Sequence, residues 1–162
     1  MRLKFSKGFV LSALAAVAWA VVIFSFSAQD GNESSGLSGK ILTALYSLFG
    51  YSPSAESIKV MSFCIRKAAH MTEFGLLGLL VLNALYRGFG SFRSIWTSAF
   101  AVASAYAATD EIHQLFVPGR SGQFTDWMID SAGILLWMLA AWAIIRIYSS
   151  RRANKNSRSE AK

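Results

Sequence analysis

The segment from residue 110 to residue 120 concentrates acid, imidazole, amide and guanidinium groups between two long apolar stretches. If a helix continues through its first half, Asp110, His113 and Gln114 share one face because they are spaced by three and four residues, whereas Glu111 points away. An imidazole titrates near neutral pH and a neighbouring carboxylate can orient it, so this face can supply a general acid or base. The guanidinium group that ends the segment can hold a phosphate or a carboxylate.

Two further segments carry polar groups of the same types at helical spacing. Arg66, His70 and Glu73 share one face, and a pair of aspartates shares a face of the last apolar stretch. Glu73 falls inside its apolar stretch, where an ionised carboxylate is costly without a partner. The predicted site residues are, for acid–base catalysis, His70, Glu73, Asp110, His113 and Asp126, and, for substrate binding, Gln29, Arg66, Lys67, Gln114, Arg120 and Asp130.

Three functional interpretations of this polar set stay open. The first is an enzyme that acts on a lipid or a lipid-linked envelope precursor, with a histidine as base and arginines as an anion clamp. The second is a divalent metal site, because His70-x-x-Glu73 and Asp110-x-x-His113 each place two ligand types on one helical face. The third is a protein that binds an anionic lipid or an amphiphilic antibiotic through basic and aromatic residues, without chemistry.

The competing interpretation is structural: the charges pair with one another and fasten the helices. Buried ion pairs contribute little stability but can fix the register of packed helices. The pairs that this interpretation predicts are Glu73 with Arg66, Asp110 with Arg120, and His113 with Asp126.

Long apolar stretches must position these groups, and they predict an all-α, polytopic membrane protein with a bundle of four transmembrane helices. The hydrophobic fraction is 54% and is gathered into runs near the ~20 residues that cross a bilayer. The predicted spans are about 8–27, 68–86, 94–110 and 126–148, within a single domain of residues 1–150. The first follows basic residues and is longer than the apolar region of a signal peptide, which favours a retained signal anchor.

The connecting segments carry weaker signals. Residues 27–39 are rich in glycine and serine, which predicts a loop, and residues 40–49 predict a short interfacial helix in the first extracytoplasmic loop. Ser52-Pro53 is typical of a helix start. The basic segment 151–162 predicts a disordered cytoplasmic tail. Close helix approach is predicted at Gly75, Gly78 and Gly133.

The net charge of +7 is concentrated beside apolar stretches, which indicates membrane topology and lipid contact, so no nucleic acid partner is predicted. Most basic residues lie in the amino-terminal segment, the 87–93 loop and the carboxy-terminal segment, which predicts that both termini are cytoplasmic. The predicted site residues then converge on the extracytoplasmic ends of their helices. The single Cys64 excludes an intramolecular disulfide and a cysteine-rich zinc site.

An ordered set of short motifs resembles the VanZ-like family over residues 19–142. The motifs are Phe-Ser-x-Gln at 26–29, Arg-Lys-x-x-His-x-x-Glu at 66–73, Asp-Glu-x-His-Gln at 110–114, Pro-Gly-Arg at 118–120 and Asp-x-x-x-Asp-x-x-Gly at 126–133. The resemblance implies a small multi-pass protein of the bacterial cell membrane, with members linked to resistance to glycopeptide antibiotics, notably teicoplanin. It implies no particular reaction. Two positions depart from the family pattern: Asp130 occupies a position where asparagine is more usual, and Trp137 occupies one where a small residue is more usual.

Overall fold

The computed structural model describes residues 6–89 and 92–160, and every secondary structure element in those ranges is helical. The helices are α1 (Lys7–Ser27), α2 (Gly31–Leu48), α3 (Ala55–Phe89), α4 (Phe92–Gln114) and α5 (Phe124–Glu160). The all-α prediction is therefore confirmed. Arg2 and Lys4 of the basic amino-terminal segment, and residues 90–91 of the predicted basic loop, lie outside the described residues.

Among the described residues, α1, α3 and α5 are long and apolar enough to cross a membrane. They contain the predicted spans 8–27, 68–86 and 126–148. The helix α4 contains the predicted span 94–110 but is not apolar enough by the same measure, because it carries serines, threonines and two acids at its end. Three candidate spans are thus established, and the four-span count stays a prediction.

The core lies where α3 meets α1, α4 and α5. Its α4 face consists of Ala99, Ala103 and Ala107, which are fully buried and recur every four residues. Small side chains at this spacing let the neighbouring helices approach closely. The larger core side chains are Ile23 from α1, Phe74 and Leu77 from α3, and Ile134 and Met138 from α5.

Glycines set the close approach of α3 and α5, as predicted. A Cβ added at Gly133 would collide with the backbone of Met71, and one at Gly75 would collide with the indole of Trp137. The unusual Trp137 is therefore accommodated because the facing position on α3 has no side chain. A Cβ added at Gly78 would likewise press on Ile134.

The helix α2 differs from the prediction. Residues 31–39 are helical, so the loop predicted there is wrong, and the helix predicted over 40–49 is the second half of a single longer helix. Tertiary contacts override the weak helix propensity of this segment: α2 packs on α3, and the Gly31 N–H donates to the Pro118 carbonyl at 3.2 Å. Whether α2 lies in the membrane interface stays a prediction.

The helices α3 and α5 are longer than their predicted spans. With 35 residues α3 is about 50 Å long, against about 30 Å of bilayer hydrocarbon, so it extends well beyond the span 68–86. It begins at Ala55 and not at Ser52-Pro53, because the Ser54 hydroxyl accepts from the Ser57 N–H at 3.2 Å as an N-cap. The helix α5 continues to Glu160, through most of the segment predicted as a disordered tail.

Candidate functional site

Two adjoining cavities lie at the end of the bundle where α3 meets the turn of residues 115–123 and the start of α5. The first cavity has a volume of about 200 Å³ and is lined mainly by polar side chains, among them Arg66, Lys67, His70, Glu111, Gln114, Arg120, Asp126 and Asp130. The second has a volume of about 180 Å³ and includes Gln29, Arg66, His70, Glu73 and Arg120 together with apolar residues of α1 and α3. The predicted site residues thus line one or both cavities, with the exceptions of Asp110 and His113.

Arg66, His70 and Arg120 line both cavities. Arg66 and His70 are one turn apart on α3, whereas Arg120 comes from the turn between α4 and α5. The sequence order separates these residues by about fifty positions, so only the packing of α3 against the later helices brings them together. They form the boundary between the two cavities.

The guanidinium group of Arg120 is fixed at the carboxy-terminal end of α1. Its Nε donates to the Gln29 carbonyl at 3.1 Å and its Nη2 donates to the Phe26 carbonyl at 3.3 Å. Carbonyls at the end of a helix lack intrahelical partners, and a cation there is favourable. Burial lowers the pKa of Arg120, and the positive charge of Arg66 lowers it further, while three carboxylates act in the opposite direction, namely Asp110, Glu73 and Glu111. The fold therefore holds two guanidinium groups close enough to repel each other.

Lys67 and Asp126 form an ion pair at 2.5 Å across α3 and α5. The same ammonium group lies 5.3 Å from the centroid of the Phe63 ring. Because Asp126 pairs with Lys67, the predicted pair of Asp126 with His113 is wrong. The predicted pair of Asp110 with Arg120 is not formed at close range either, since Asp110 accepts from Gln114 and Arg120 donates to backbone carbonyls.

We expect a double-mutant cycle to measure this ion pair. Lys67→Met and Asp126→Asn should each lower the free energy of unfolding, and the double variant should lower it by less than the sum, with a coupling of about 1 kcal/mol. Both side chains are about one quarter exposed or less, at 24% and 20%, so screening keeps the coupling modest. Denaturant unfolding in micelles measures it, with Lys59→Met on the exposed part of α3 as the control. A coupling of zero would contradict the pairing.

Asp110 lies behind the cavities and His113 faces a different helix. Asp110 is 4% exposed, accepts a hydrogen bond from the Gln114 side chain at 2.9 Å, and interacts electrostatically with His70 and Glu73. The ring of His113 stacks on Phe24 of α1 with centroids 4.4 Å apart, and its Nδ1 is buried without a hydrogen-bond partner. Asp110 can thus influence the cavity residues, whereas His113 packs away from them.

The described residues contain no group of three or more histidine, cysteine or carboxylate side chains arranged to hold a metal ion. The two motifs that suggested a metal, 70–73 and 110–113, do not converge because His113 turns to α1.

Glu111 is a site residue that the sequence interpretation missed. It is 7% exposed, lines the first cavity, and its Oε2 accepts from the Gln123 N–H at 2.8 Å. The helical wheel correctly separates it from the face of Asp110, but the turn after α4 brings the first turn of α5 over it. A carboxylate at a helix N-terminus is favourable, and this preference is the signal that identifies the residue once the turn is known.

We expect Glu111→Gln to raise the free energy of unfolding by up to about 1 kcal/mol, because burial raises the pKa of the Glu111 carboxyl, so the fold disfavours its charge, while the amide oxygen can still accept from the Gln123 N–H. Glu56→Gln is the matched control, since Glu56 is an exposed acid in the first turn of α3. That control should change stability by only a few tenths of a kcal/mol. Equal effects of the two substitutions in thermal unfolding would show that burial at Glu111 has no consequence.

The sequence model of the family described as VanZ/LLP1 matches residues 12–146, a range that contains all the residues lining the two cavities. No curated protein and no solved structure matches the chain.

Proposed function

Because the chain is a membrane protein that belongs to the VanZ/LLP1 family, we propose that it binds the anionic head group of a membrane lipid or a lipid-linked envelope precursor. The observation that carries this proposal is the boundary formed by Arg66, His70 and Arg120 between the two cavities. Two guanidinium groups held close together gain from an anion between them, and a phosphate or carboxylate can accept from both. His70 supplies a further donor beside them.

Three features support the binding of a charged group at this end of the bundle. Asp126 is already paired with Lys67, and Glu111 already accepts from the Gln123 N–H, so each of these two acids has a partner other than an arginine. Arg120 is held in place by backbone carbonyls, which reduces the entropy lost when it binds a ligand. The second cavity adds apolar residues such as Ile23 and Ile65, which suit the less polar part of an amphiphile.

Lipid titration tests the proposal. The purified protein, in nanodiscs of phosphatidylcholine, should bind added phosphatidylglycerol more tightly than added zwitterionic phosphatidylethanolamine, as measured by native mass spectrometry. The preference should weaken with salt, because the head group is recognised by its charge. Equal binding of the two lipids would overturn the proposal.

The proposal also includes the location of the site. We place the two cavities at the extracytoplasmic surface of a bacterial membrane, with four spans and both termini in the cytoplasm, because most basic residues flank the other ends of the helices. Cys64 is exposed on α3 near the site and reports on this orientation. A membrane-impermeant maleimide should label Cys64 in intact cells and should not label Cys64→Ser. If labelling of Cys64 requires permeabilised cells, the orientation is the opposite of the one proposed.

A second candidate function is acid–base chemistry on the same bound molecule. It is favoured by His70, which lines both cavities and interacts electrostatically with Asp110 and Asp126. A histidine oriented by a carboxylate is the common arrangement of a general base. If this chemistry occurs, wild-type protein incubated with phosphatidylglycerol should release a product detectable by mass spectrometry, and His70→Gln should bind the lipid without releasing it. If neither protein releases a product, the acid–base function is contradicted and lipid binding is the function that remains.

A link to glycopeptide resistance belongs to the same proposal. A protein that holds an anionic envelope lipid at the outer surface can change how an amphiphilic antibiotic such as teicoplanin reaches its target. Expression in a susceptible bacterium should then raise the inhibitory concentration of teicoplanin, and Arg66→Gln should abolish that rise. An unchanged inhibitory concentration with wild-type protein would remove resistance from the proposal without affecting lipid binding.

A further inference from the structure

An apolar groove opens on the outer side of the site, between the end of α4 and the start of α5. We call it the α4–α5 groove and define it by Ile112, Leu115, Phe124 and Trp127, with Glu111 and Gln123 at its inner edge. Its volume is about 400 Å³. The side chains of Ile112, Leu115 and Phe124 are 58%, 62% and 69% exposed, so the groove is open along its outer rim.

One hydrogen bond separates the groove from the first cavity. Glu111 and Gln123 line both spaces, and the bond from the Gln123 N–H to the Glu111 carboxylate is 2.8 Å long. On one side of this contact the lining is polar and carries both arginines and carboxylates, and on the other it is aliphatic and aromatic. An amphiphile has the same division between a charged head and an apolar chain.

The floor of the groove is held in place before anything binds. The indole N–H of Trp127 donates to the Ser104 carbonyl at 3.0 Å, and the Trp127 ring lies 5.1 Å from the ring of Phe124. Because the polar edge of the indole is satisfied within the helix pair, its ring is available as apolar surface. The groove is therefore a formed apolar surface beside a charged cavity.

We propose that the α4–α5 groove holds the hydrocarbon chain of the same lipid whose anionic head group binds between Arg66 and Arg120. This inference rests on the proposed function and narrows it to a membrane-resident ligand that enters sideways from the bilayer and passes the Glu111–Gln123 contact. A soluble phosphate would use the cavity alone and would leave the groove unoccupied. The groove residues, and Leu115 and Phe124 above all, then determine which chains are accepted.

Photocrosslinking tests where the chain lies. A phosphatidylglycerol analogue with a diazirine in one acyl chain should crosslink mainly to peptides that contain Leu115, Phe124 or Trp127. A phosphatidylcholine analogue with the same diazirine should label the lipid-facing surface without this concentration. An even distribution of the phosphatidylglycerol crosslinks over α1, α3 and α5 would overturn the inference.

Variants separate this inference from the function on which it rests. Leu115→Trp fills part of the groove and should weaken phosphatidylglycerol binding about fivefold or more, while the affinity for glycerol phosphate stays unchanged. Leu136→Trp, at an exposed position of α5 outside the groove, is the matched control and should change neither. If Leu115→Trp binds the lipid like wild type while Arg66→Gln does not, the groove inference fails and head-group binding stands. If Arg66→Gln also binds like wild type, the proposed function itself fails.

Discussion

Gly133→Ala is expected to lower the free energy of unfolding by about 2 kcal/mol, the largest stability effect of the substitutions considered. A Cβ at this position would lie 2.7 Å from both the Cα and the carbonyl oxygen of Met71. Those atoms belong to the backbone of α3, so no side-chain rotation can relieve the contact, and α3 and α5 must move apart. The separation would loosen the packing of Phe74 and Ile134, which are fully buried between these helices.

Gly36→Ala provides the matched control. Gly36 lies in α2, and a Cβ there would meet no atom within 4 Å. The free energy of unfolding of this variant should rise by up to about 1 kcal/mol, because alanine favours helix formation over glycine by that amount. The two variants therefore make the same chemical change and should shift the unfolding transition in opposite directions, which thermal unfolding in micelles can measure. A Gly133→Ala protein as stable as wild type would mean that α3 and α5 are packed less closely than the structure shows.

Gly133 illustrates what the sequence predicts well. Small residues on an apolar face indicate close helix contact, and Gly75 and Gly133 do face the other helix of the pair. The helical spacing of Arg66, His70 and Glu73 likewise places them together on α3 beside the cavities. Predictions of this kind succeed because they depend only on the repeat of one helix, which the sequence states directly.

Contacts between helices could not be predicted in the same way. A carboxylate of the site can pair with any of three basic residues, Arg66, Lys67 and Arg120. Which pairs form depends on how far α3, α4 and α5 are shifted along their axes relative to one another. The pairing of Asp126 with Lys67, and the capping of α1 by Arg120, are consequences of that packing. The spacing of residues within one helix contains no information on this relative axial shift, so the predicted pair of Asp126 with His113 was wrong.

Two further errors, the loop predicted at residues 31–39 and the missed role of Glu111, have a different cause, which is the turn of residues 115–123. Its Pro118 carbonyl accepts from the Gly31 N–H, and Gly119 adopts a φ of 70° that favours glycine. This contact helps to fix the start of α2, a segment whose composition indicates a loop. The same turn places Gln123 over Glu111, which had no assigned role. A turn of this kind acts on elements distant in sequence, and local propensity cannot anticipate that effect.

Arg66→Gln should cause the largest functional loss, a decrease of about 10- to 100-fold in the affinity for phosphatidylglycerol. Hydrogen bonds to a charged group contribute about 1.5–3 kcal/mol, which corresponds to that range of affinity. Arg66 lines both cavities, and its partner Arg120 has two donors engaged with α1. Arg66 is thus the better residue at which to remove a positive charge that contacts the ligand, since replacing Arg120 would also disturb the end of α1.

The matched control is Arg87→Gln, the same change at the opposite end of the same helix. The Nε of Arg87 donates to the Asn83 side chain at 3.2 Å, one turn away on the exposed surface of α3, far along the helix from the cavities. If a basic residue anywhere on α3 attracts anionic lipid through its long-range field, both variants should lose affinity to a similar degree and both losses should vanish in high salt. A loss confined to Arg66→Gln, and only partly reduced by salt, indicates direct contact with the head group, because a partly buried charge pair is screened less than an exposed one. Unchanged affinity of Arg66→Gln would place the bound lipid somewhere other than the boundary of the two cavities.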